Sequence, residues 1–130
     1  MVMDYKDNLP RGKKIIRSFQ YAMNGIKLVL SNELNFKVHL AASIAVVAAG
    51  FIFSISKAEW LIIILLIAGM FALEMVNTAI ERTVDLVTEE YHPLAGQAKD
   101  MAAGAVLCFA AGAVIIGLIM FLPKIWAAFM

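Results

Sequence analysis

Three long apolar stretches leave this chain few ways to fold. Residues 38–55 contain no formal charge, residues 60–76 contain only Glu74, and residues 101–122 contain none. A bilayer hydrocarbon core about 30 Å thick takes roughly 20 helical residues to cross. Inside it, only a backbone that satisfies its own hydrogen bonds persists, and for single stretches of this kind that means helix. Membrane spans are therefore expected at 38–55, 60–80 and 101–122. Composition agrees: 62% of the 130 residues are hydrophobic and 16% are charged, too little polar surface for a soluble domain of this size. The expected architecture is a single all-α integral membrane domain over 1–130, with an N-terminal amphipathic surface helix followed by three transmembrane helices.

Basic residues orient the spans. Lys6, Arg11, Lys13, Lys14, Arg17, Lys27 and Lys37 precede the first, and Arg82 and Lys99 flank the connection between the second and third. Only Lys57 and Lys124 fall on the opposite side. The positive-inside rule then places the N-terminus in the cytoplasm and the Ser56 turn and C-terminus outside, with Trp60 and Trp126 near the outer interface. Pro123 is expected to stop the third helix. No cleavable leader is expected, because a long polar segment precedes the first apolar run. Within 1–31, Ile15, Phe19, Ala22, Met23, Ile26 and Leu30 recur at helical spacing opposite Lys13, Lys14, Arg17, Asn24, Lys27 and Ser31. Such a helix lies flat in a membrane interface. Ala41, Ala45 and Ala49 in the first span, and Ala113 and Gly117 in the third, are spaced for close helix approach. The formal net charge of +1 offers no basic excess for nucleic acid, and the single Cys108 is read as a small hydrophobe.

The chemistry concentrates in one stripe. Glu74, Asn77, Glu81 and Asp85 follow the apolar part of the second span. At about 100° per residue they fall within an arc of roughly 80°. An ionisable residue in a membrane helix is expensive and marks a functional site. Glu74 is the deepest and suits general-base work on a hydroxyl, or proton carriage. Glu81 and Asp85 are shallower; with an acidic partner such as Glu33, Glu81 could hold Mg²⁺, which prefers oxygen ligands and keeps waters and substrate phosphates. The connection continues Glu89-Glu90-Tyr91-His92-Pro93, and Pro93 and Gly96 read as a turn before Lys99-Asp100 opens the third helix. Lys99 could meet phosphate as a point charge. Neither GxxxxGK[ST] nor GxGxxG is present, so any nucleotide binds without those cradles.

At these residues the chain resembles a known family. The tract Glu74-x-x-Asn77-x-Ala79-Ile80-Glu81-x-x-x-Asp85, then His92-Pro-Leu-Ala-x-x-Ala98-Lys99-Asp100-x-Ala-Ala-Gly-Ala-Val106, together with Asn32-Glu33-x-Asn35-Phe36-Lys37-x-His39, is similar to the bacterial membrane diacylglycerol kinases, in particular their Gram-positive undecaprenol kinase branch. The resemblance implies a homotrimeric enzyme of the bacterial cytoplasmic membrane. It would transfer the γ-phosphoryl group of Mg-ATP to a lipid alcohol, undecaprenol first and diacylglycerol as the alternative. By matching position, Glu74 is expected to be the catalytic base, oriented by Asn77, and Glu33 and Glu81 the pair that binds the divalent ion. Lys99 and Asp100, with Glu90, Tyr91 and His92, are expected to contact ATP, as are Glu33, Glu81, Tyr21 and Lys14, the last standing where the family has Arg. Glu74 and Trp60 are assigned to the lipid substrate, and Asp85 to a supporting role. A reading from another class, a small proton-coupled transporter using Glu74, needs polar access from both sides, whereas the polar groups cluster at one.

Overall fold

The computed structural model describes residues 10–130, and they are almost entirely helical. α1 is Arg11–Asn32, α2 Leu34–Ile52, α3 Lys57–Val87 and α4 Pro93–Phe129. Lys6 and the rest of the first nine residues of the expected 1–31 segment lie outside the described residues. The chain divides into an N-terminal unit ending at Leu34 and a second unit, Asn35–Met130.

In the N-terminal unit, α1 carries the expected apolar face. Its Phe19 and Ile15 are 70% and 60% exposed, an arrangement suited to an interfacial helix. The helix ends at Glu33, whose extended backbone breaks the helical run while its N–H still donates to the Val29 carbonyl at 2.9 Å.

In the second unit, α2, α3 and α4 are each long and apolar enough to cross a membrane. The 31 residues of α3 and the 37 of α4 exceed the expected spans. At 1.5 Å per residue they reach about 46 and 55 Å, well past a hydrocarbon core of about 30 Å. Hydropathy marks only the apolar middle of such helices, so their polar ends were not visible as helix. The expected turn at Pro93 and Gly96 is instead the first turn of α4, with Pro93 at the helix start, where its missing N–H costs nothing. Lys99 and Asp100 therefore lie inside α4 rather than at its opening.

Pro123 does not stop the third span. It sits inside α4, which runs on to Phe129. Proline removes one backbone bond, but abandoning the helix in an apolar medium would orphan several more. Lys124 also fastens this end of α4 to α3 through an ion pair to Glu59 at 3.0 Å.

The α2–α3 turn has the expected four residues but lies three residues earlier, since α2 ends at Ile52 and α3 starts at Lys57. Ser54 takes a left-handed backbone, φ 49°, which a non-glycine residue adopts at some cost. Ser56 and Glu59 form a reciprocal capping box: the Ser56 N–H donates to the Glu59 carboxylate at 2.7 Å, and the Glu59 N–H to Ser56 Oγ at 3.3 Å.

Aromatic pairs set the α2–α3 packing, Phe36 on Phe71 at 4.8 Å and Phe51 on Trp60 at 4.9 Å between ring centroids. A Cβ on Gly50 would come within 2.9 Å of the Trp60 ring, and one on Gly69 within 2.6 Å of the Phe109 ring on α4. Within the chain, close approach thus occurs at Gly50 and Gly69. Ala41 and Ala45 are exposed, and a Cβ on Gly117 would meet nothing within 4 Å.

Gly69→Ala should lower stability by about 1–3 kcal/mol, the usual cost of overpacking, because the Phe109 ring must move. Gly112→Ala, where nothing lies within 4 Å, should not. Thermal denaturation of both variants in one detergent checks this, and equal midpoints would remove the claim that Gly69 sets the α3–α4 distance.

Candidate functional site

The polar stripe faces inward along α3 and grades from dry to wet. Glu74 is 2% exposed and Asn77 6%, Glu81 is half-buried, and the Asp85 side chain is 54% exposed. The gradient follows from geometry: the four residues share one face of a helix whose last turns outrun the apolar packing. The same face carries Ile63 and Met70 toward the α2–α3 turn, both buried. Thr78 joins it at 4% exposure, a polar position the sequence reading passed over although it lies four residues from Glu74.

Asn77 links two levels of the stripe. Its amide Nδ2 donates to Glu81 Oε1 at 2.9 Å, while its buried Oδ1 has no hydrogen-bond partner. A buried acceptor without a donor is costly, so this oxygen is a natural place for a substrate or a bound water to donate. Among the described residues, no group of three or more His, Cys, Asp and Glu side chains is gathered as a ready cation cage. Mg²⁺ asks for less than that from protein, since one or two carboxylates plus substrate phosphates and waters suffice. Glu81, whose second oxygen takes no part in the Asn77 bond, and the free Asn77 carbonyl are hard oxygen donors of the kind Mg²⁺ accepts.

At the exposed end of the stripe, Lys99 Nζ on α4 donates to Asp85 Oδ1 on α3 at 2.5 Å. The connection between the two helices is shaped locally. Thr88 Oγ1 accepts from the Glu90 N–H at 3.2 Å, and His92 caps α4 by accepting from the Leu94 N–H on Nδ1 at 3.3 Å. A cleft of about 390 Å³ opens here, lined by Thr83, Thr88, His92 and Ala95 among others. Glu90, Tyr91 and Asp100 are exposed.

A second, apolar cavity of about 290 Å³ lies among α2, α3 and α4, with Met70, Ala110 and Phe121 in its wall and His39 and Ser43 as its polar members. Met70 is one helical turn from Glu74.

Of the expected site residues, Glu74, Asn77, Glu81, Asp85 and Lys99 form a continuous run within the second unit, with His92 at the mouth of the neighbouring cleft. Trp60 is not part of it. It packs on Phe51 near the α2–α3 turn, about 21 Å along α3 from Glu74 at 1.5 Å per residue. Lys14, Tyr21 and Glu33 belong to the N-terminal unit, where Lys14 is exposed and Tyr21 and Glu33 are half-buried.

Three membrane-length helices with an internal carboxylate stripe define a polytopic membrane protein whose polar site sits at one end of the bundle. Residues 20–121 match the model of the prokaryotic diacylglycerol kinase family, and the chain belongs to that family. It is 52% identical to the undecaprenol kinase of Bacillus subtilis (strain 168), over 95% of this chain and all of that protein. It is also 38% identical to the diacylglycerol kinase of Synechocystis, over 85% of this chain and 64% of that protein, and 32% identical to that of Escherichia coli K12, over 89% and 92%. Each of these relatives is named a kinase, and the transporter reading gains no support from them.

Asn77→Asp would set a second carboxylate against Glu81 in place of a donor. Like charges at hydrogen-bond distance repel. The variant should therefore lose thermal stability relative to the parent, and adding Glu81→Gln, which removes one of the two charges, should recover part of the loss. A double variant no more stable than Asn77→Asp alone would show that the amide is not a donor to Glu81.

Proposed function

We propose that this protein is a lipid kinase that transfers the γ-phosphoryl group of Mg-ATP to the hydroxyl of undecaprenol, forming undecaprenyl phosphate at the cytoplasmic face of a bacterial membrane. The observation that carries the reading is the depth gradient from a buried Glu74 to an exposed Asp85–Lys99 pair. Phosphoryl transfer to a lipid alcohol needs such a gradient, since the acceptor arrives in hydrocarbon and the donor in water. The choice of undecaprenol rests on the full-length similarity to a protein of that name. Diacylglycerol is kept as the second acceptor because more distant relatives are named for it.

In this reading the lipid hydroxyl lies against Glu74, and its tail runs along the apolar cavity that begins at Met70. Glu74 takes the hydroxyl proton as the alcohol oxygen bonds to the γ-phosphorus and the bond to the ADP oxygen breaks. Asn77 orients Glu81 through its amide, while its expected role in orienting Glu74 rests on the match of its motif position. Magnesium, held by Glu81 and brought with the nucleotide, would neutralise charge on the phosphates. Lys99 meets the phosphates, while Glu90, Tyr91, His92 and Asp100 border the nucleotide. Lys14, Tyr21 and Glu33 enter on the match of their motif positions alone, Glu33 as the second metal carboxylate. A homotrimer, which rests on the family resemblance alone, completes the reading, with the N-terminus in the cytoplasm and the C-terminus outside as the bias of basic residues toward one side supports.

Purified protein in lipid should transfer labelled phosphate from ATP to undecaprenol in a Mg²⁺-dependent way, with chelation abolishing turnover. Glu74→Gln should lose at least about 10²-fold in rate, the usual contribution of a general base, with its fold retained. Full activity in that variant would refute the base assignment, and equal kcat/KM for undecaprenol and diacylglycerol would refute the acceptor choice.

A further inference from the structure

The Asp85–Lys99 pair is poorly suited to a purely structural role. Both side chains are substantially exposed, 54% and 38%, and exposed ion pairs of this kind contribute little to stability. The α3–α4 seam is already fastened at depth, by the close approach of Gly69 to Phe109 and by Glu59 with Lys124 at the far end. Yet the pair joins the last turns of one helix to the second turn of the next, across a separation of 14 residues. It also terminates the stripe that carries Glu74 and Glu81.

A lysine side chain has four flexible bonds and a compact ammonium with three N–H donors and no acceptor. Left alone at a water-facing helix surface it samples many rotamers. One donor fixed on Asp85 leaves two for phosphate oxygens and confines Nζ to one place beside the stripe. The carboxylate also offsets the lysine charge, so in the absence of nucleotide the exposed end of the site carries no isolated cation.

From this geometry we infer that Asp85 is a positioning residue: it anchors Lys99 Nζ where it meets the phosphates of the incoming nucleotide. The inference deepens the kinase reading and rests on it, specifically on Lys99 as a phosphate contact. Asp85 itself touches no reacting atom.

The test uses the full-length protein in lipid, with MgATP kinetics and the thermal shift induced by MgATP as two readouts. Asp85→Ala should raise KM for MgATP by about tenfold, a size typical of coupling between residues in contact. Its kcat should stay within about twofold and its KM for the lipid should be unchanged, because Asp85 acts only on where Lys99 sits. Asp85→Glu should recover part of the loss. In a Lys99→Met background, Asp85→Ala should add nothing. The charge swap Asp85→Lys with Lys99→Asp rebuilds a bridge between the helices, so it should keep the parent melting temperature while KM for MgATP stays high. A swap that restores KM would show that the bridge matters only as a structural tie and would overturn the inference. So would an Asp85→Ala enzyme with parental KM while Lys99→Met is impaired. If Lys99→Met itself leaves both KM and the MgATP-induced shift unchanged, the failure lies in the nucleotide role of Lys99, and this inference falls with it.

Discussion

A carboxylate inside a membrane helix must be kept out of hydrocarbon, and most of this structure can be understood as the means of doing so. Glu74 is 2% exposed because the face of α3 that bears it packs inward with Met70, Asn77 and Thr78. The close approach at Gly69, where Phe109 occupies the space a side chain would fill, lies about 140° around α3 from Glu74 and sets the distance to α4 on that other side of the helix.

The second condition is length. A helix that stopped at the edge of the hydrocarbon would leave the site without its aqueous half. Because α3 continues to Val87 and α4 begins at Pro93, both helices carry their last polar turns beyond the apolar packing. One rigid backbone thus presents the same stripe to two solvents. Side chains on a helix hold their spacing better than side chains on loops, so Glu74, Asn77, Glu81 and the Asp85–Lys99 pair keep fixed relative depths. The order of those depths, rather than any single residue, is what the chemistry of a tail-bearing alcohol and a water-soluble phosphoryl donor calls for.

Much of this was legible in the sequence, for a physical reason in each case. The spans were legible because lipid admits few alternatives to helix, and the stripe because 3.6 residues per turn puts Glu74, Asn77, Glu81 and Asp85 on one face whatever surrounds them. The helix ends were not, because hydropathy falls silent once a membrane helix becomes polar; α3 ran seven residues and α4 eight residues past the windows that defined them on the connection side. By sequence alone, Pro93 and Pro123 both read as breaks. One is a preferred helix-opening residue, and the other is carried through by the backbone bonds around it. The Asp85–Lys99 pairing lay beyond reach, since it depends on the register between two helices rather than on the pattern within either. The same holds for Asn77: its type suggested an orienting role, but which oxygen lies bare and which nitrogen binds Glu81 is a property of the packed site.

The sidedness of the polar groups bears on what the buried carboxylate can do. A residue that moves protons across a membrane needs polar partners leading away from it in both directions. Toward the connection, Glu74 has Asn77, Glu81 and the Asp85–Lys99 pair in succession. Toward the α2–α3 turn, the next buried positions on its face of α3 are Met70 and Ile63, and the adjoining cavity has only His39 and Ser43 among otherwise apolar walls. The far end is then closed by the capping box of Ser56 and Glu59, the Lys124 ion pair and the Phe51–Trp60 stack. Glu74 therefore has charged, closely spaced polar company toward the connection, while on the other side it thins to His39 and Ser43 in an apolar wall. In the kinase reading proposed above, that asymmetry suits a group that exchanges its proton with a reaction at an interface, with the apolar side of the stripe as the approach for a hydrocarbon tail rather than for water.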